Sequence, residues 1–251
     1  MHRSQILAAL ALTLFAGLWS ARAHAGPALT VYSPIVDYRE WEFELRGGSQ
    51  DWAQADDGEQ ATKLAVGYGL APRWFTELAA EYTRSPGRTA RVEELEWENI
   101  IQLTEHGRYW LDAGILTEYA YNRIEGEHEM KIGPMLQKEV GRSQFNLNLL
   151  LGRRIDARSP GEVVRHTEVS YAAQWRWHGR NRYLSPGVQA FGGLGHADRL
   201  HSEALRAGPA LFGEAPLGGG RTFTYNASLL AGVSAQAPDL TVRFQLEYEF
   251  F

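Results

Sequence analysis

Glutamates set two residues apart are the first feature of this sequence that could do chemistry. Glu40, Glu42 and Glu44 form one such ladder, Glu94, Glu96 and Glu98 a second, and Glu247 and Glu249 repeat the spacing near the end of the chain. Paired carboxylates can exchange protons with a substrate or hold a cation. A ladder at every second residue is more often one solvated or charge-paired face. A hydrolase would need a histidine beside a serine, and the nearest candidates are His166 and Ser170 in "RHTEVS". Four residues along a strand span roughly 13 Å, far beyond the ~3 Å over which a proton is transferred. "YNAS" offers Asn226 and Ser228 with no histidine beside them. His196, Asp198 and His201 share one polar stretch, and Glu125, Glu127, His128 and Glu129 another. Neither spacing is a recognised metal-ligand set, so the sequence gives no metal, no cofactor and no catalytic residue. The glycine-rich "PLGGGR" follows no phosphate-binding pattern and reads as a turn.

The elements that carry these residues are strands. In "WEFELRG" Trp41, Phe43 and Leu45 alternate with Glu42, Glu44 and Arg46, and Leu240, Val242, Phe244, Leu246, Tyr248 and Phe250 alternate with polar residues to the end of the chain. A period of two sends neighbouring side chains to opposite faces. About twelve such segments lie near 38–47, 60–70, 73–83, 91–103, 108–119, 129–139, 142–154, 164–177, 181–192, 204–213, 221–233 and 240–250. Each is near the length that a tilted strand needs to cross a bilayer. Short connections such as "LAPR", "TEHGR" and "EVGRS" alternate with longer polar ones such as "GGSQDWAQADDGE" and "GLGHADRLHS". The expected fold class is therefore all-β, a transmembrane antiparallel up-and-down β-barrel with short periplasmic turns and both chain ends on the periplasmic side. A soluble barrel or sandwich would put its apolar face inward. Aromatic residues near strand ends, among them Trp74, Tyr82, Trp175, Trp177 and Tyr248, fit interface girdles instead.

The 25 N-terminal residues read as a secretory signal peptide, with basic His2 and Arg3, an apolar run from Ile6 to Trp19 and the small-x-small end Ala23-His24-Ala25. Two domains of sequence follow from this, 1–25 as signal peptide and 26–251 as barrel. Without Arg3 and Arg22, Lys+Arg falls from 25 to 23 against Asp+Glu 30, a net charge of −7. That balance gives no support to nucleic-acid binding. The absence of cysteine rules out a disulfide and a thiolate nucleophile.

The ending "TVRFQLEYEFF" resembles the terminal strand of bacterial outer-membrane barrels. The resemblance implies that Tyr248, Phe250 and Phe251 are an assembly signal read by the barrel-assembly machinery, with outer-membrane lipid as the surrounding solvent. Phe251 stands one residue past the alternating register. From "VYSPIVDYREWEFELRGG" onward the layout also resembles the outer-membrane family annotated with the MetA pathway of phenol degradation, a group of transport proteins. This implies the outer membrane of a Gram-negative bacterium and passage of a small solute.

On this register Glu40, Glu42, Glu44, Glu94, Glu96, Glu98, Glu247 and Glu249 line the lumen as one acidic wall, and Arg154, Arg176, Arg206 and Arg243 line it as the basic residues. Two readings stay open. An open lumen would be a narrow channel or passive transporter, its glutamates favouring cations. A filled lumen would be a closed structural barrel, its glutamates paired with Arg176 and Arg206 because buried charges need partners. An outer-membrane lipid-modifying enzyme is a further alternative, disfavoured by the missing His–Ser contact.

Overall fold

The structure, a computed structural model, describes residues 26–52, 55–84, 89–155 and 167–251. The expected signal peptide and His166 lie outside these residues. Twelve strands follow in order: β1 (Trp41–Trp52), β2 (Ala55–Ala71), β3 (Trp74–Arg84), β4 (Arg91–Gln102), β5 (Asp112–Asn122), β6 (Glu127–Val140), β7 (Ser143–Arg154), β8 (Thr167–Trp177), β9 (Ser185–His196), β10 (Arg199–Pro216), β11 (Arg221–Gly232) and β12 (Leu240–Phe250). Every strand pairs antiparallel with its sequence neighbours, and β12 returns to β1, so the sheet is a closed barrel. Closure leaves no edge, the condition for a sheet to sit in lipid with its backbone groups satisfied.

Burial shows which face is which. Arg46 and Arg243 are the largest fully buried side chains, and Glu44, Glu96, Glu98 and Glu118 are buried beside them in the interior. On the outside stand Phe43, Leu64, Val66, Leu95, Trp97, Ile132, Leu151 and Val242, with Leu78 66% exposed. A soluble barrel has the opposite arrangement. The outer faces are the apolar sets that the alternation picked out.

The turns differ from the sequence reading in two ways. "TEHGR" does not form a short turn, because β5 begins only at Asp112 and the connection runs over 103–111. Its residues carry the reason: Asp112 accepts from the Gly107 amide at 2.9 Å and contacts His106 at 3.1 Å, while Thr104 accepts from the Ala113 amide at 2.8 Å. These side chains offer the backbone partners other than the ladder. Conversely, the polar stretches expected as long loops after strands one and nine are largely strand. Here β1 continues to Trp52 and β2 starts at Ala55, while β9 and β10 are separated only by residues 197 and 198. These hairpins project from the barrel end opposite the one where β12 terminates. At the near end the turn between β10 and β11 holds Gly218, Gly219 and Gly220, all at positive φ, where glycine alone is unstrained.

The terminal strand pairs with β1 from Leu240 opposite Asp51 to Phe250 opposite Trp41. Phe250 stacks on Phe43 at 5.8 Å between ring centroids and lies 5.6 Å from Tyr248. Phe251 is beyond the last rung and 68% exposed.

Candidate channel lumen and its internal segment

The inward ladders place like charges opposite one another. Across neighbouring strands Glu42 faces Glu249, Glu44 faces Glu247, Glu77 faces Glu98, Glu81 faces Glu94 and Glu98 faces Glu118. Directly opposed carboxylates repel, so the fold requires cations among them. Arg46 supplies one: its guanidinium donates to Glu44 and also reaches Glu77 at 3.4 Å and Glu98 at 3.5 Å. Lys63 pairs with Glu96 and lies 3.6 Å from Glu98, and Lys131 reaches Glu118 at 2.7 Å and Glu129 at 3.8 Å. Two carboxylate trios, Glu42 with Glu44 and Glu247, and Glu96 with Glu98 and Glu118, bring oxygens within 4.8 Å of one another, a spacing that could hold a metal ion. Lys63 and Lys131 already bring positive charge to the second trio. At the first, Arg46 holds Glu44, and Gln245 donates to Glu44 at 2.6 Å and to Glu247 at 2.5 Å.

The partners thus differ from those expected. The glutamates of β1, β3 and β4 pair with Arg46 and Lys63, which share their wall. Arg206 instead donates to Gln50 at 2.8 Å and Thr241 at 3.3 Å, and Arg243 to Gln189 at 2.7 Å and Gln245 at 3.0 Å. Arg176 lies 5.6 Å from the centre of the Phe212 ring. Arg154 sits at the rim, its side chain 46% exposed and 3.8 Å from Glu127. Glu40 precedes β1 at the mouth of the barrel. Partial burial, reinforced by Asp37 and Glu247, pushes its carboxyl up to about 7. His201 contacts Glu203, and neither it nor His196 belongs to a metal-type cluster among the described residues.

The sequence reading assigned no element to residues 26–37 and began the first strand near 38; the structure instead runs residues 26–36 through the barrel interior and 37–40 along its mouth into β1. The segment enters the interior beside Gly48, where a Cβ would lie 2.5 Å from the Pro27 carbonyl oxygen. Thr30 donates to Gln245 at 2.9 Å. The Tyr32 amide donates to Asn148 at 2.8 Å, and Asn148 donates back to the Tyr32 carbonyl at 3.0 Å. Ser33 meets Gln137 at 3.1 Å and the Val36 amide donates to Gln102 at 2.9 Å. At the far end the Arg39 amide donates to the Gly69 carbonyl at 2.8 Å and the chain turns into β1. Pro27 and Pro34 are fully buried, and Leu29 and Val31 pack on an interior apolar patch of Ala172, Phe191 and Leu230. Four strands from both halves of the barrel, β4, β6, β7 and β12, therefore hold one internal segment by side-chain amides.

A closed antiparallel barrel of twelve strands, apolar outside and charged inside, is a transmembrane β-barrel of the outer-membrane type. Among solved structures the chain is similar to the NanC porin, with 12% identity and a TM-score of 0.52 over 83% of this chain and 99% of that one. It is also similar to the translocator domain of the autotransporter NalP from Neisseria meningitidis, with 11% identity and a TM-score of 0.53 over 99% of this chain and 97% of that one. At such identities the likeness concerns the fold. The sequence matches no protein-family model and no curated protein.

Proposed function

We propose that this protein is a narrow outer-membrane channel for a small solute, closed in the state described here by its own residues 26–40. The observation that carries the reading is the way the segment is held. Its partners in the wall are the neutral side chains of Gln245, Asn148, Gln137 and Gln102. Arg46 touches it through the Tyr32 hydroxyl at 3.5 Å, yet keeps its own three glutamates. The segment can therefore leave without stranding a buried charge, whereas removing a wall strand could not. Two of the solved structures the chain is similar to are a porin and an autotransporter translocator domain, which supports passage through the barrel rather than an enzyme. The resemblance to the MetA-pathway outer-membrane family points the same way.

Purified protein in planar bilayers is expected to show brief discrete conductance steps. Permanent silence across voltages would favour the closed structural barrel, the reading that the buried Arg46 network also accommodates. Location in a Gram-negative outer membrane, signal-peptide removal near Ala25 and recognition by the assembly machinery belong to the same proposal. Deleting Phe250 and Phe251 should leave secretion intact and block insertion, because the last rung opposite Trp41 and the stack on Phe43 are lost. Normal amounts of the truncated chain in the outer membrane would show that these aromatics are no assembly signal.

A further inference from the structure

Where the acidic ladder of β12 gives way to Gln245 and Arg243, the balance of polar groups is unusual. Arg243 is 1% exposed, and its hydrogen-bond partners are the uncharged Gln189 and Gln245. Among the described residues its Nε finds no hydrogen-bond partner, nor does the Oγ of buried Ser228. These two residues are directly opposite each other on β12 and β11, and on one face such a pair has Cβ atoms about 5 Å apart. Glu44 and Glu247 are each one step away through the Gln245 amide and neither forms an ion pair with Arg243; Glu44 is held by Arg46. A buried guanidinium without a carboxylate partner, beside a hydroxyl with none, calls for an anion.

An apolar surface adjoins this pair. The Arg243 guanidinium lies 5.9 Å from the centre of the Phe191 ring. Phe191 forms the interior patch with Ala172 and Leu230, and Leu230 is two residues from Ser228 on β11. Leu29 and Val31 of the internal segment cover the patch, while Thr30 between them donates to the same Gln245 oxygen that Arg243 uses. The segment thus supplies two aliphatic side chains and a hydroxyl, but no negative charge.

We propose that this part of the lumen is a binding site for a small amphipathic carboxylate, with an aliphatic body on Ala172, Phe191 and Leu230 and its carboxylate on Arg243 and Ser228, and that such a ligand displaces Leu29-Thr30-Val31. The inference rests on the reading of residues 26–40 as a displaceable segment. The ligand gains a charge-assisted hydrogen bond that the segment cannot make, so ligand and segment compete for one surface.

The test is calorimetric titration of sodium hexanoate into the full mature chain in lipid nanodiscs, with empty nanodiscs as the blank. Hexanoate should bind saturably, while acetate and hexylammonium should not. Arg243→Gln should weaken binding about tenfold or more, and Arg243→Lys less. Leu29→Ala with Val31→Ala should strengthen it about tenfold, because the competing segment loses apolar contact. Equal binding of hexylammonium, or an affinity unmoved by Arg243→Gln, would overturn the site. Should Arg243→Gln fail to fold, an affinity unchanged in the Leu29→Ala, Val31→Ala chain would overturn it instead. Binding with this pattern in a barrel that never conducts would keep the site and defeat the channel. Conductance without hexanoate binding would do the reverse.

Discussion

Replacing Arg46 with methionine is expected to lower the unfolding free energy by about 3–5 kcal/mol, the range for removing one partner of a buried ion pair. Arg46 is 1% exposed and stands among Glu44, Glu77 and Glu98. Glu77 and Glu98 face each other across β3 and β4, so without the guanidinium their repulsion has no local compensation beyond Lys63. Methionine keeps much of the volume, which confines the loss to charge and hydrogen bonding. Urea unfolding in detergent micelles, followed by tryptophan fluorescence, measures it. Adding Glu98→Gln to Arg46→Met should restore part of the loss, a coupling expected of residues in one network. Full stability in the single variant would show that this cluster does not hold the barrel.

The second large effect concerns the internal segment. A Cβ at Gly114 would lie 3.0 Å from the Pro34 Cβ, slightly inside the ~3.5–4.5 Å of a disulfide. A shift of a few tenths of an ångström accommodates the bond. Because the chain contains no cysteine, Pro34→Cys with Gly114→Cys creates one possible pair. Oxidation should abolish conductance steps and reductant should restore them. Asn148→Ala acts in the opposite direction, since it removes both hydrogen bonds to Tyr32. At about 1 kcal/mol each, their loss should raise the open population roughly 30-fold, about one and a half powers of ten. Steps that persist in the oxidised double-cysteine protein would mean that ions pass without the segment moving.

The strands were legible because a lipid-facing band and a polar interior impose a period of two on the sequence, as in Trp41 to Arg46 and Leu240 to Phe250. Their ends were less so. Gly47, Gly48 and the aspartates beyond them have turn-like composition, yet pairing with β12 and β2 carries them on as strand. Arg46 shares the parity of Glu42 and Glu44, so its inward position could be read locally. Its role as their counterion could not, because Glu77 and Glu98 are brought to it by strand order. Residues 26–37 left no periodic signal at all. They belong to no strand, and the side-chain amides that hold them are 66 to 215 residues away in sequence. Only the tertiary structure brings Pro34 to Gly114 or Tyr32 to Asn148.

Gly48 belongs at once to the seam where the sheet closes and to the seat of the internal segment. It pairs with Arg243 of β12, and a Cβ there would lie 2.5 Å from the Pro27 oxygen and 2.7 Å from the Val242 oxygen. Both obstacles are backbone, so neither can swing aside as a side chain would. The Pro27 oxygen would leave with the segment but the Val242 oxygen belongs to the wall, so a larger residue at this position in a related sequence would require both a different course of the leading segment and a different closure of the seam.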